Sequence, residues 1–310
     1  MKKRTKFALG GAAAIGAAAL LRRSGLHEDL EWREIVKPGH VMDIDAYGVH
    51  YLDNGEGPAL LLVHGFGGQT FQYRHQVPYL SRTRRVIVPD LKGFGYSERD
   101  ANAGLSHSDQ VAMLRALLDR LGITRIAIVG HSMGGAIAQR FAATYPEMVD
   151  ALVLAASMPA DRPPRSRRLP GVLLRLVLPL VASAAASRLL AAGFNDPSLL
   201  TDDVRDEYLR PARVKGSMDG LMQMMRDVRA DPPVDLSRID MPVLLLFGAH
   251  DPVATLGMAK QIRERIPHAR LTVIERAAHL LLEEQPDACN RAITDFLREA
   301  VPAASPAAPV

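Results

Sequence analysis

Ser132, Asp251 and His279 are the residues whose types and placement could do nucleophilic chemistry. Ser132 lies in Gly130-His131-Ser132-Met133-Gly134, directly after the β-branched run Ile126, Ile128, Val129 and before a small-residue segment, Gly134 to Ala138, with helical spacing. This reads as strand, sharp turn, helix, with the serine at the turn. A nucleophile in such an elbow adopts a strained backbone conformation, and the positions two before and two after it must be almost free of side chain because neighbouring backbone crowds them. Gly130 and Gly134 meet that demand. Asp251 follows the apolar run 243–247, within Gly248-Ala249-His250-Asp251-Pro252-Val253, and His279 follows the run 271–274, within Ala277-Ala278-His279-Leu280. A hydroxyl, a carboxylate and an imidazole so placed can serve as nucleophile, acid and base in attack on an acyl carbon. Asp161, near the end of the apolar run 151–155, is the second candidate acid. A Gly-x-Ser-x-Gly alone also fits a plain glycine-rich turn, and a lone histidine is usually a surface or core residue. Three residues in this order, each just past a separate strand, point to catalysis.

A second element must serve them. The apolar run 59–63 reads as a strand buried on both faces of a parallel sheet, and it leads into His64-Gly65-Phe66-Gly67-Gly68. A glycine-rich turn there exposes backbone N–H groups and brings the Phe66 amide beside the Met133 amide, two donors for a developing oxyanion. The rival, a phosphate-cradling loop, lacks both Gly-x-Gly-x-x-Gly and a Gly-Lys-Ser/Thr ending.

The elements that position these groups alternate along the chain. A hairpin is expected about Tyr47-Gly48, a short helix over 72–80, a strand over 85–88, an amphipathic helix over 108–121, a helix from the elbow to about Tyr145, a strand over 151–155 and a closing helix from near Pro286. Strand, loop and helix in succession imply right-handed parallel crossovers. The regularity stops at 159–237, where Arg162, Arg165, Arg167 and Arg168 precede an apolar segment from Val172 to Leu190 and then a polar helical stretch. This reads as an inserted helical cap over a core formed by 35–158 and 238–300, with 301–310 a disordered tail. A basic, apolar cap packs over a core, or docks on an anionic membrane surface while sheltering a lipid-like substrate. Met218, Met222, Met224 and Met225 supply adaptable apolar surface suited to a lid or to core packing.

Composition excludes several classes. Apolar residues make up 48% of the 310, enough for a sizeable core. A net charge of +4 with 5% aromatics offers no stacking platform, so no nucleic-acid partner is expected. The single cysteine, Cys289, forbids an internal disulfide, and the ten histidines show no metal-binding spacing, so no metal or other cofactor is expected. Residues 1–25 are distinctive: Met1-Lys2-Lys3-Arg4-Thr5-Lys6, an Ala/Gly/Leu run from Phe7 to Leu21, then Arg22-Arg23. They admit three readings: a short uncleaved membrane anchor with the catalytic part facing away from the cytoplasm, a cleaved export signal, or a loose extension of a cytoplasmic protein. Membrane association through this segment is the expectation taken forward.

His64-Gly65-Phe66-Gly67, Asp90-Leu91-Lys92-Gly93-Phe94-Gly95-Tyr96-Ser97, Gly130 to Gly135, Gly248 to Val253 and His279-Leu280-Leu281-Leu282-Glu283-Glu284 together resemble the α/β-hydrolase fold superfamily over about residues 40–299. The resemblance implies a mostly parallel eight-stranded sheet flanked by helices, with an inserted helical cap. It also implies Ser132 as nucleophile, Asp251 as acid, His279 as base, and the Phe66 and Met133 amides as oxyanion donors. One departure is Ala278, where many members have glycine before the base. A serine at the elbow argues against the haloalkane dehalogenase and epoxide hydrolase branches, which use aspartate there. The basic apolar cap and N-terminal segment favour a carboxylic ester of lipid character, similar to the substrates of monoacylglycerol lipase-like members. A small-ester esterase, a C–C bond hydrolase of the meta-cleavage-product type and a non-catalytic binding protein are the other readings.

Overall fold

A computed structural model of the chain describes residues 28–35, 37–100, 102–161, 187–188 and 190–301. The expected N-terminal anchor, the Arg162–Arg168 cluster, most of the apolar segment up to Leu190 and the tail beyond 301 lie outside the described residues. Among the described residues no helix is long and apolar enough to cross a membrane.

Eight strands form one sheet: β1 His40–Ile44, β2 Tyr47–Asn54, β3 Ala59–Val63, β4 Arg85–Pro89, β5 Ile126–His131, β6 Val149–Ala155, β7 Val243–Gly248 and β8 Arg270–Ile274. Their order across the sheet is β1-β2-β4-β3-β5-β6-β7-β8. β1 and β2 pair antiparallel, as do β2 and β4, and every pair from β4 through β3 to β8 is parallel. The central strands explain the apolar runs. Leu60 to Val63, Ile126 to His131 and Val243 to Gly248 are buried throughout, as expected where helices cover both faces of a parallel sheet. Each fully buried leucine or valine there contributes about 1.5–3 kcal/mol over exposure.

The helices that bear on the site are α1 Val77–Leu80, α2 His107–Arg120, α3 Met133–Thr144, α4 Asp202–Leu209, α5 Ser217–Ala230, α6 Leu256–Arg265, α7 Leu281–Glu284 and α8 Pro286–Ala300. α2 starts at a capping box, with the Ser106 side chain accepting from the Asp109 amide and the Asp109 carboxylate accepting from the Ser106 amide. α4 and α5 belong to the helical insertion between β6 and β7. Its methionines divide between roles: Met222 and Met224 are buried, and Met225 is exposed.

Two local expectations are corrected. The hairpin turns at Asp45-Ala46 rather than Tyr47-Gly48. Both turn residues have positive φ, 50° and 64°, as a two-residue turn matched to strand twist requires. The expected helix over 72–80 is a 3-10 turn, Thr70–Tyr73, followed by one turn of α1. Pro78 lacks the N–H to continue a helix from Arg74, so it occupies the first turn of a new one.

A strap of N-terminal residues lies across the insertion. The Glu28 carboxylate accepts from the Gly216 and Met218 amides, Asp29 pairs with Arg213, Leu30 bridges to Val214, and Glu31 pairs with Lys215. Trp32 Nε1 then donates to the Tyr96 carbonyl of the core at 2.7 Å.

Candidate active site

The parallel strands set the site, because loops leaving their carboxyl ends all open on one rim. Ser132 follows β5 directly, Asp251 lies just beyond β7, His279 just beyond β8, and Gly65-Phe66 just beyond β3. The elbow is as tight as the two glycines imply. A Cβ on Gly130 would lie 2.4 Å from the Gly134 carbonyl oxygen, and one on Gly134 would lie 2.2 Å from that of Val63. Ser132 itself has φ 53° and ψ −115°, a conformation that costs on the order of 1–3 kcal/mol. Its backbone is held there: the N–H donates to Ala155 O at 2.9 Å, and the carbonyl accepts from Gly135 and Ala136. Although Ser132 is the N-cap of α3, its hydroxyl makes no capping bond.

That hydroxyl meets the base instead. Ser132 Oγ is 3.0 Å from His279 Nε2, and His279 Nδ1 is 2.9 Å from Asp251 Oδ2. The acid is fixed by its own turn, since Asp251 Oδ1 accepts from the Val253 and Ala254 amides at 2.7 and 2.8 Å. With Asp251 accepting from Nδ1–H, Nε2 is left as the acceptor for the serine proton. Asp161 takes no part: its carboxylate accepts from Arg265 Nε of α6 at 3.0 Å, which removes it as a rival acid.

The two residues expected to supply oxyanion donors flank the elbow in different ways. Met133 is the first residue of α3, so its N–H has no acceptor within the helix. Gly65 packs on the elbow so closely that a Cβ there would come within 3.2 Å of Ser132 Cβ, and Phe66 is the next residue of that loop. The Phe66 ring is 49% exposed and lies edge-on to Phe94. His64 anchors this loop: Nδ1–H donates to Gly65 O and Nε2 accepts from Leu91 N. Burial lowers its pKa and so keeps the ring neutral. The Asp90 motif is a scaffold, not a reacting group. Its buried carboxylate accepts from the Thr70 and Tyr96 amides and pairs with His50.

Three further residues brace the surroundings of the site, with contacts that no sequence pattern gives. His131 Nε2–H donates to the His279 carbonyl at 2.8 Å, and its Nδ1 accepts from Gln72 Nε2 at 2.7 Å. Burial pushes the His131 pKa down to about 3, so it is neutral and holds this pattern throughout the working range. Gln72 Oε1 in turn accepts from Gly65 N at 3.2 Å, tying the oxyanion loop to the base loop. Glu283, buried, joins Arg74 of the core to Tyr208 of α4.

The family model of the alpha/beta hydrolase fold matches residues 58–286, about three quarters of the chain. The chain belongs to the alpha/beta hydrolase fold family. This hydrolase is 30% identical over 281 residues to 2-hydroxymuconate semialdehyde hydrolase of Pseudomonas putida, covering 86% of this chain and 94% of the relative. It is 28% identical over 274 residues to epoxide hydrolase 4 of Mus musculus, covering 81% and 76%. A solved structure of a membrane phospholipase A, described as a bacterial virulence factor, superposes with TM-score 0.72 at 27% identity, covering 96% of this chain and 100% of that one.

Proposed function

We propose that this hydrolase is a serine esterase acting on carboxylic esters of lipid type, with Ser132 as nucleophile, His279 as base, Asp251 as acid and the Phe66 and Met133 amides as oxyanion donors. The observation that carries the reading is the continuous line from Asp251 Oδ2 through His279 to Ser132 Oγ, 2.9 and 3.0 Å at its two links. Nε2 takes the hydroxyl proton as Oγ attacks the acyl carbon, Asp251 stabilises the imidazolium, and the two amides receive the developing oxyanion. The imidazolium protonates the departing alcohol, and water then releases the acyl group through the same base.

A lipid ester as substrate is supported by the likeness to the phospholipase structure over nearly the whole of both chains. The basic and apolar composition of residues 1–23 and of the insertion supports association with a membrane surface. The second reading is hydrolysis of a C–C bond, supported by the 30% identity to the semialdehyde hydrolase. Epoxide opening is disfavoured because Ser132 stands where that branch uses a carboxylate.

The test is hydrolysis of acyl esters from acetyl to long-chain by the full-length chain and by Ser132→Ala, with and without anionic vesicles, alongside a meta-cleavage dienoic acid. Preference for medium or long acyl chains, raised by vesicles, supports the lipid-esterase reading. Rapid acetyl turnover indifferent to vesicles replaces it with a small-ester esterase, and turnover of the dienoic acid alone replaces it with the second reading. Ser132→Ala should lose at least about 1,000-fold in kcat and all labelling by a fluorophosphonate while keeping its thermal midpoint. Substantial activity in that variant would sink the assignment.

A further inference from the structure

The loop that carries His279 is gripped from outside the core. Glu284, at the end of α7, is 7% exposed and its carboxylate spans two parts of the molecule. Oε2 accepts from the amide of Ala278, the residue before His279, at 2.7 Å. Oε1 accepts from the amides of Asn195 and Asp196, in the insertion, at 2.6 and 3.0 Å. On the other side of His279, the Leu280 amide donates to Gly193 O at 2.9 Å, and the Leu280 side chain packs on Phe194 and Leu200. Residues 193–196 therefore hold both chain neighbours of the base, one by a direct backbone hydrogen bond and one through Glu284. The core also holds this loop, through the His131 ring on the His279 carbonyl and the His250 amide on the Ala277 carbonyl, so core and insertion share the grip on the base.

We propose that Glu284 is a positioning residue that makes the alignment of His279 on Ser132 contingent on the seating of residues 193–196. The proposal rests on the reading of His279 as base. Hydrogen bonds to an ionised acceptor are about twice as strong as neutral ones. A carboxylate is the one side chain of this length that offers acceptors at both ends. A carboxamide must turn its NH2 toward Ala278 N–H or toward the Asn195 and Asp196 pair, and either choice sets donor against donor. The grip then opens on one side with little change of volume. A displacement of about 1 Å at a reacting group costs up to about 100-fold in rate. An insertion lifted from its seat would thus leave the three catalytic side chains present but out of line.

Glu284→Gln, Gly193→Ala and His279→Ala in the full-length chain separate the possibilities. Gly193→Ala presses on the same grip from the insertion side, since its new Cβ would meet Leu280 Cδ1 and Cγ at 3.3 Å. The substrate is the ester that the wild type turns over fastest, and fluorophosphonate labelling is followed in parallel. Glu284→Gln should lower kcat about 10- to 100-fold with KM within about twofold, and slow labelling in proportion. Hydrogen exchange at Ala278, Asn195 and Asp196 should rise together. Gly193→Ala should move the same readouts less far, and it decides the matter if Glu284→Gln does not fold. A kcat within about twofold of wild type in the folded variant overturns the proposal, as does a loss that disappears on cooling well below the melting midpoint. Full activity in His279→Ala would instead overturn the reading of the base, an outcome that the Glu284 data cannot mimic.

Discussion

At the scale of single residues, the site depends on neutral polar groups as much as on the reacting three. Gln72 and His131 form one chain from the Gly65 amide to the His279 carbonyl, and both are buried. Gln72→Leu leaves the Gly65 N–H and His131 Nδ1 without partners, each at a cost of about 1–3 kcal/mol. The expected outcome is a fall of about tenfold in kcat and a lower urea midpoint, read by steady-state kinetics and denaturation. His131→Phe should lower kcat similarly while leaving the Ser132 backbone in place. Ser132, Asp251 and His279 were legible in the sequence because each directly follows an apolar strand, so a one-dimensional pattern places it on the rim. The Gln72–His131 contact was not, because it joins positions 59 residues apart and Gln72 sits on a turn with no periodicity.

Among elements, the elbow is the least tolerant. Gly134→Ala would force a methyl to 2.2 and 2.4 Å from the carbonyl oxygens of Val63 and His64, backbone atoms at the end of a central strand and the start of its loop that cannot retreat. Its destabilisation should reach or exceed the ~3 kcal/mol at the upper end of ordinary overpacking, seen in a urea melt or as failure to fold. The parallel strands were readable because burial on both faces makes continuous apolar runs, α2 because of its amphipathic spacing and α8 because Pro286 marks its first turn. The first hairpin was misplaced by two residues because Asp45-Ala46 lacks the glycine or asparagine that marks such a turn. The segment 72–80 read as one helix because Pro78 marks a start as well as a stop.

For the whole molecule, the joint between insertion and core is one place where pH acts on stability. Glu283 bonds both Arg74 and Tyr208, yet burial outweighs these partners and raises its pKa from 4.5 to about 7. An acid raised in the folded state binds its proton more tightly there than in the unfolded chain, so its contribution declines as pH rises from about 4.5 to about 7 and is constant above. The decline is on the order of 3 kcal/mol at 1.36 kcal/mol per unit. Glu283→Gln should therefore gain stability relative to wild type across that window and show a flat difference beyond it, measured by urea unfolding from pH 5 to 8.

The strap of residues 28–32 has a consequence in time. Asp29 pairs with Arg213, 184 positions further along, and Glu28 with the amides that open α5. During synthesis the strap leaves the ribosome long before the insertion, and its partners do not exist until residue 218 has been made. The strands β1 to β6 are complete by then, so the chain can close its sheet from β1 to β6 while the strap is still undocked. The strap can dock only once the insertion has emerged, and β7 and β8, which deliver Asp251 and His279, follow later still. A chain that stalls between residues 218 and 251 would therefore have the strap's binding surface and Ser132, but neither Asp251 nor His279, the residues proposed to make that serine reactive.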